Sequence, residues 1–470
     1  MIDRGRETAG LDRWGLSRND AGALCLGGVP LPQIADRYDT PLFVVDLDAV
    51  RERSQFFGRT FRTSYPGVAT ACFPVRCNDV AGVVKAVVDS GLHLEVTTDF
   101  ELDLALKAGS PPERILLNGV HKPAALLERA LQLGLWGVVV DCVEEIDILR
   151  GCARGLQRPS RLLVFLGVAG SHIPRRAAPG AITGTGKGSP KGVQARSGQL
   201  QAVLQSVRDA DGLAYGGPYL RLGNGLRDAR YIRGILKELR RVLAAAGKVG
   251  LETTHLFLGG GFGTSTSREL TTKEMLFYQG RFVLPPVPAA SSCSPLQTHA
   301  GEIADAVRSL FGERTGTPLP ALMVETGGYV TGPCQTLLVR VGHIKQRQGV
   351  PPWVVTDGGA GSVAFPLYYE IHEVLNASRG ETGPRSPVTM VGPICYSTDW
   401  IYRNKPMPPI RAGDVLAVLD AGAYFSVLEC NFGFLRPAAV GLSNGEARLL
   451  RHRERPEEAV QRDTIFHESS

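Results

Sequence analysis

The glycine run Gly259-Gly260-Gly261-Phe262-Gly263 directly follows a β-prone stretch, His255 to Leu258. Three successive glycines open backbone N–H groups to an anion, and a phosphate is the usual guest of such a nest. A tight turn would call for the same residues. Glu325 closes a second apolar stretch, in Met323-Val324-Glu325-Thr326-Gly327-Gly328. A carboxylate at a strand end can hold the protonated ring nitrogen of a cofactor, or it can be solvated or salt-bridged. Cys395, in Gly392-Pro393-Ile394-Cys395-Tyr396-Ser397-Thr398-Asp399, is a candidate proton donor; a small buried hydrophobe is the commoner role of such a thiol. Tyr424, in Asp420-Ala421-Gly422-Ala423-Tyr424, offers a phenol to a phosphate or packs at a domain boundary.

The elements that must position these residues alternate from about residue 40 to residue 330. Eight stretches read as strands: Val68 to Arg76, Leu92 to Thr98, Arg114 to Val120, Trp136 to Cys142, Arg161 to Val168, Tyr219 to Gly223, His255 to Leu258 and Ala321 to Glu325. Most are apolar throughout, as parallel strands buried on both faces must be, and eight is the number that closes a (β/α)8 barrel. Between them, Asp79 to Ser90, Lys122 to Leu133 and Tyr231 to Ala246 carry apolar residues at helical spacing, and Asp48 to Phe61 predicts a helix before the first strand. Gly91, Gly109, Gly134 and Gly247 stand where helix C-caps are expected.

Two segments break the rhythm. Residues 170–198 are rich in Gly, Ser, Pro, Lys and Arg and predict a flexible insertion, or a mobile loop at the strand-end face. Phe282 to Thr298 predicts a shorter loop of that kind. Beyond residue 335 helical spacing stops. Gln335 to Ile344, Trp353 to Asp357, Thr389 to Pro393, Asp414 to Leu419 and Arg448 to Arg451 read as strands between Gly and Pro turns. The expected organisation is an arm and strand at 1–45 that joins the later sheet, a barrel at 46–334, a mostly β sandwich-like or barrel-like domain at 335–455, and a frayed tail at 456–470.

Composition sets the outer bounds. The 470 residues are 43% hydrophobic and 21% charged, too apolar for a disordered chain. A formal charge of +6 is mild for this length and gives no nucleic-acid footprint. Nine scattered cysteines without a CxxC pair read as reduced cytoplasmic thiols and offer no metal motif. The first fifteen residues hold no apolar core of a signal peptide, and no apolar run is long enough to span a bilayer.

Taken in order, these motifs resemble a known family. Thr40-Pro41-Leu42-Phe43-Val44, Ala71-Cys72-Phe73-Pro74-Val75-Arg76-Cys77-Asn78, Leu258 to Gly263, Val324 to Gly327, Gly392 to Asp399 and Asp420 to Tyr424 are similar to segments of the pyridoxal-phosphate decarboxylases of the alanine-racemase fold, which act on diaminopimelate, ornithine or arginine. The likeness runs from about residue 40 to 440. It implies a barrel holding pyridoxal 5'-phosphate, a β domain, a small amino-acid substrate, and a homodimer whose shared sites take Cys395 and Asp399 from the partner subunit. It also implies that Gly259, Gly260 and Gly261 bind the cofactor phosphate with Tyr424, that Glu325 faces the ring nitrogen, that Cys395 is catalytic, and that Asp399 contacts the substrate amine.

The departures are as informative. Arg76 stands where the family's Schiff-base lysine ends the first barrel strand. A guanidinium stays protonated and cannot form the imine an amine forms. Lys85 lies on the following helix, away from the strand end. Arg221 stands where the family stacks a histidine on the cofactor, Phe257 replaces an aspartate, Gly328 an arginine and Tyr396 a substrate-reading glutamate. The resulting expectation is an amino-acid carboxy-lyase with noncovalently held cofactor, with added positive charge from Arg76 and Arg221 near the pocket. Its alternatives are a non-catalytic paralogue that binds a phosphorylated ligand or regulates a homologous enzyme, and a cofactor-free enzyme whose arginines clamp an anion.

Overall fold

The computed structural model describes residues 10–155, 162–168, 191–195, 197–223, 226, 231–285, 293–312, 318–363, 370–380 and 383–463. All eight expected strands form: Ala69–Pro74, His93–Val96, Ile115–Leu117, Gly137–Val140, Leu163–Val168, Ala214–Arg221, His255–Gly259 and Ala321–Glu325. They close one parallel barrel in chain order. Closure pairs the eighth strand with the first, Leu322 opposite Ala69 and Glu325 opposite Cys72.

The barrel is packed, not hollow. Cys72, Leu116, Val139, Phe165, Tyr219, Phe257 and Met323 form an inner cluster. Tyr219 and Phe257 meet edge-on with centroids 4.8 Å apart, and Trp136 lies 4.9 Å from Phe165. Such pairs add about 0.5–1.5 kcal/mol beyond the area they bury. Phe257, where the resembled family has an aspartate, is fully buried in this plug.

The outer ring follows from helical spacing. Helix Leu47–Ser64 starts at Asp46, whose side chain accepts from the Ala49 amide at 2.8 Å, and it buries Val50, Phe57 and Phe61. Ala81–Asp89, Ala124–Leu133 and Ile232–Lys248 occupy the other three expected positions. Gly134 caps its helix in the left-handed region at φ 67°, and Gly91 and Gly109 have positive φ just beyond theirs. Gly247 does not cap: the helix runs through it to Lys248, and the chain turns at Gly250, φ 78°.

The second sheet is assembled from both ends of the chain. Leu42–Asp46 pairs antiparallel with Gln335–Lys345 and parallel with Ala438–Ser443. With Gln335–Lys345, the other four expected later strands are found too, near Trp353–Thr356, Ser386–Val391, Val415–Val418 and Glu446–Arg451. Trp400–Met407 and Ala438–Ser443 join them without having been expected. The N-terminal arm carries structure of its own. Strands Leu16–Arg18, Leu24–Leu26 and Val29–Pro30 and helix Leu31–Tyr38 bring Leu24, Leu26, Leu31 and Ile34 against Leu42, Val44, Leu338 and Val440.

Three loop expectations change. Most of 170–198 lies outside the described residues; its end holds a β-bridge at Val193, and a helix begins at Gly198. The segment from Phe282 ends earlier than expected, because Leu296 starts helix Leu296–Phe311. The tail opens with a short helix, Pro456–Ala459, which has Pro at its first turn and Glu458 bonded back to the Arg455 amide at 2.9 Å.

Candidate active site

The C-terminal ends of the barrel strands meet over the aromatic plug, and the first polar layer there is an ion cluster. Arg76 sits in the one-turn helix Val75–Cys77 immediately after the first strand. Its Nη2 donates to Glu325 Oε1 at 2.5 Å and its Nη1 to Glu95 Oε1. Asn118 Nδ2 also donates to Glu95 Oε1, at 3.1 Å, and the other Glu95 oxygen is buried without a hydrogen bond. Tyr219 Oη donates to Glu325 Oε2 at 3.4 Å. The Arg76 side chain keeps 24% of its surface, so it lines open space while both carboxylates are buried.

Electrostatics follow from that geometry. Burial pushes the Glu325 carboxyl above its usual range, Glu95 pushes the same way, and Arg76 opposes both. The carboxylates hold Arg76 firmly protonated against the partial desolvation of its site. Burial beside Glu325 and Glu95 drives the Tyr219 phenol and the Cys72 thiol well up. The sequence led us to expect added positive charge at Arg76. Two carboxylates compensate it instead. Glu95 was missed, although a carboxylate between the apolar residues Leu94 and Val96 of an expected buried strand was a usable signal.

A second element closes over this cluster. Tyr424 lies in a loop of the β sheet domain at φ 65°, and its amide donates to Cys77 O at 2.9 Å. Asn78 Nδ2 reaches Gln335 Oε1 at 2.9 Å and Gly422 O at 3.1 Å, and Gln335 Nε2 donates to Ala421 O at 2.8 Å. Asp420 accepts from Trp14 Nε1 at 2.7 Å and from Thr266 Oγ1. The loop from Asp420 to Tyr424 is thus fastened to the turn that carries Arg76. The Tyr424 phenol is raised by burial and lowered by Arg76 and Arg221.

The glycines form a close-packed cradle. A Cβ on Gly259 would collide with the Tyr219 hydroxyl, and one on Gly260 would stand 2.9 Å from Leu222 Cβ. Gly327, at φ 54°, backs onto the run: a Cβ there would be 2.6 Å from Gly261 Cα. One on Gly328 would be 3.1 Å from Ala423 Cβ. Gly259–Gly261, Gly327–Gly328 and Ala423–Tyr424 therefore converge. The run is less open than its sequence suggested. Gly261 N–H donates to Gly223 O at 2.8 Å, and Leu226 N–H to Gly261 O at 2.9 Å.

Arg221 ends the sixth strand opposite Gly259, and its charge acts on Glu325 and Tyr424. Cys395 and Asp399 belong to another loop. Asp399 is buried and accepts from the amides of Ala360 at 2.7 Å and Ile394 at 2.8 Å. Its carboxylate shapes the loop, and Cys395 and Tyr396 stand exposed on it. No hydrogen bond or ion pair among the described residues links either Cys395 or Asp399 to the mouth of its own barrel. Among the described residues, Asp141, Cys142 and Glu145 are grouped closely enough to hold a metal, and Lys122 already pairs with Glu145 at 2.7 Å.

A parallel barrel with an acidic and glycine-lined mouth, roofed by a loop of a second sheet, defines a class of barrel enzymes that work at their strand ends. The family model of the pyridoxal-dependent decarboxylase pyridoxal-binding domain matches residues 52–332, and the chain belongs to this family. The diaminopimelate decarboxylase of Mycobacterium tuberculosis is 31% identical over 450 residues, covering 93% of this chain and 94% of that one. That of Actinosynnema pretiosum is 32% identical over 462 residues, covering 95% and 94%. The structure of diaminopimelate decarboxylase from M. jannaschii with L-lysine superposes with a TM-score of 0.79 at 21% identity over 95% of this chain and 97% of that one. That likeness shows the fold.

The family implies pyridoxal phosphate, and Glu325 and Tyr424 fit it by residue type and by their place at the barrel mouth. The Cβ sides of Gly259 and Gly260 are filled by Tyr219 and Leu222 and the Gly261 amide is taken by Gly223 O, so the glycine run is tightly packed, with the loop of Tyr424 against it through Gly328 and Ala423. Glu325 is a carboxylate of the kind that faces a ring nitrogen, and here its oxygens accept from Arg76 and Tyr219. At the aldehyde end the first strand offers a guanidinium in place of an amine.

Proposed function

We propose that the protein is a pyridoxal-phosphate-dependent amino-acid carboxy-lyase whose cofactor is not tethered at the first barrel strand. The observation that carries this reading is the convergence of the glycine cradle, Glu325 and Tyr424 over one barrel mouth. When bound, the cofactor supplies an electron sink for the pair released as carbon dioxide leaves. Glu325 would be the residue to face the ring nitrogen, and its raised pKa would let it share a proton there. Arg76 holds Glu325 in place from one side and Tyr219 from the other. Its side chain keeps 24% of its surface and would present a cation to a substrate carboxylate. The plug of Phe165, Tyr219 and Phe257 seals the barrel against water from below.

The exposed loop of Cys395 and Tyr396 supports a homodimer. Tyr396 packs edge-on against Phe432 at 5.3 Å, and Phe434 and Leu428 are exposed nearby in sequence. Such a patch is suited to a second copy, which would carry Cys395 to the neighbouring mouth as a proton donor. The substrate is a small α-amino acid. Its distal group differs from that of diaminopimelate, because Tyr396 stands where that family reads the group with a glutamate. Incubation with pyridoxal phosphate and a panel of amino acids, followed by mass spectrometry of the amines formed, tests the reading. One amine formed with multiple turnovers supports it. Cofactor binding without any amine supports the non-catalytic paralogue, which the guanidinium of Arg76 favours.

A further inference from the structure

The first strand lacks an amine, and among the described residues Lys191 stands at the strand-end face of the barrel. Lys191 is two residues before Val193, which bridges in parallel to Val168 at the end of the fifth strand. The Val193 amide donates to Gly167 O at 2.8 Å, and the Gly192 amide to Asp141 Oδ2 at 2.8 Å, just past the fourth strand. Those bonds clamp the segment across two adjacent strand ends. The face is the one where Arg76, Glu325 and Arg221 end or follow their own strands. Lys191 and Glu325 lie within each other's electrostatic reach, and Arg76, Arg221 and Glu95 also act on the lysine.

Three further lysines are held in ion pairs. Lys85 pairs with Asp89 at 2.9 Å on an outer helix, Lys122 is buried against Glu145, and Lys405 is held by Glu373 at 3.0 Å.

We propose that Lys191 supplies the primary amine that the first barrel strand lacks, condensing with the aldehyde of pyridoxal phosphate held in the glycine cradle. The inference rests on the cofactor reading above. The neutral Nζ adds to the aldehyde carbon, a C=N bond forms, and the carbonyl oxygen leaves as water with both amine hydrogens. A substrate amine then displaces Lys191 by the reverse exchange. Burial and the two arginines lower the lysine's pKa to about 8, which supplies neutral amine near physiological pH. Lys191 as a whole residue is exposed, so the desolvation of its ammonium is partial and a ligand can reach it.

The test is to incubate the full chain with equimolar pyridoxal phosphate and to reduce with borohydride, whose hydride adds to the C=N carbon. Retained cofactor is measured by dialysis of an unreduced portion, and the labelled peptide is identified by mass spectrometry. The expected result is one phosphopyridoxyl group per chain on Lys191, lost in Lys191→Arg while dialysis still shows cofactor retained. Retained cofactor with no label on Lys191, or with the label on Lys85 or Lys122, overturns the inference and leaves the cofactor reading standing. No retained cofactor and no label overturns both.

Discussion

Arg76 binds Glu325 at 2.5 Å across the barrel closure, joining the end of the first strand to the end of the eighth. The same guanidinium holds Glu95 on the second strand. Removing it leaves two buried carboxylates without their cation, which typically costs about 3–5 kcal/mol. Arg76→Met is therefore expected to lower stability by about 3 kcal/mol at pH 7.5 in urea unfolding. Because the Glu325 pKa is already raised by burial, the carboxylate takes up a proton as pH falls. The deficit should accordingly shrink between pH 7.5 and pH 5. A deficit that grows toward pH 5 would contradict the ion-cluster account.

Phe257 is a packing residue here, fully buried against Tyr219 and Phe165. Phe257→Ala should cost about 4 kcal/mol through the cavity it opens in the plug, and Phe257→Leu about 1.5 kcal/mol. Denaturant unfolding of both variants checks the ordering. Equal and small losses would show that the plug collapses around the missing ring.

The exposed aromatic patch makes a separate prediction. If Tyr396 and Phe432 meet a second copy, the double substitution Tyr396→Lys with Phe432→Lys should convert dimer to monomer in sedimentation velocity while leaving thermal unfolding of the chain otherwise cooperative. A wild-type chain that sediments as a monomer at micromolar concentration would remove the partner-supplied Cys395.

The barrel was legible in the sequence because its strands are buried on both faces and so are apolar throughout. The pairing of Leu42–Asp46 with the late sheet was legible for the same reason. Trp400–Met407 and Ala438–Ser443 escaped because Arg403, Asn404, Lys405 and Pro406 interrupt the first and glycine and alanine dilute the second. In the site, residue type located Arg76, Glu325 and Tyr424, but type says nothing of partners. That Glu95 compensates Arg76, that Asp399 binds backbone amides and that Gly261 donates to Gly223 are matters of register between distant strands and loops. Lys191 sat within a basic segment that reads as solvated, and a single bridge to Val168 sets its place.

The amine proposed at Lys191 has a pH signature. With a pKa of about 8, roughly a tenth of it is neutral at pH 7, against less than about a thousandth for an ordinary lysine. The charges acting on it are Arg76, Arg221, Glu95 and Glu325. The rate of imine appearance on mixing with pyridoxal phosphate, followed by absorbance, should rise as pH increases through about 8 and level off above it. In Arg221→Gln, one lowering charge is gone and the midpoint should move up. A rate that climbs steadily to pH 10 would place the reaction on ordinary surface lysines.

Cofactor-dependent release of carbon dioxide tests the central claim most directly. With carboxyl-labelled amino acids, the full chain and pyridoxal phosphate should release labelled carbon dioxide from one substrate class over many turnovers. Release should require the cofactor and fall at least about a hundredfold in Glu325→Gln, in line with the loss of a preorganised charge at a developing transition state. Carbon dioxide release that is indifferent to added pyridoxal phosphate, or none at all from a chain that dialysis shows to be loaded, would contradict the carboxy-lyase account.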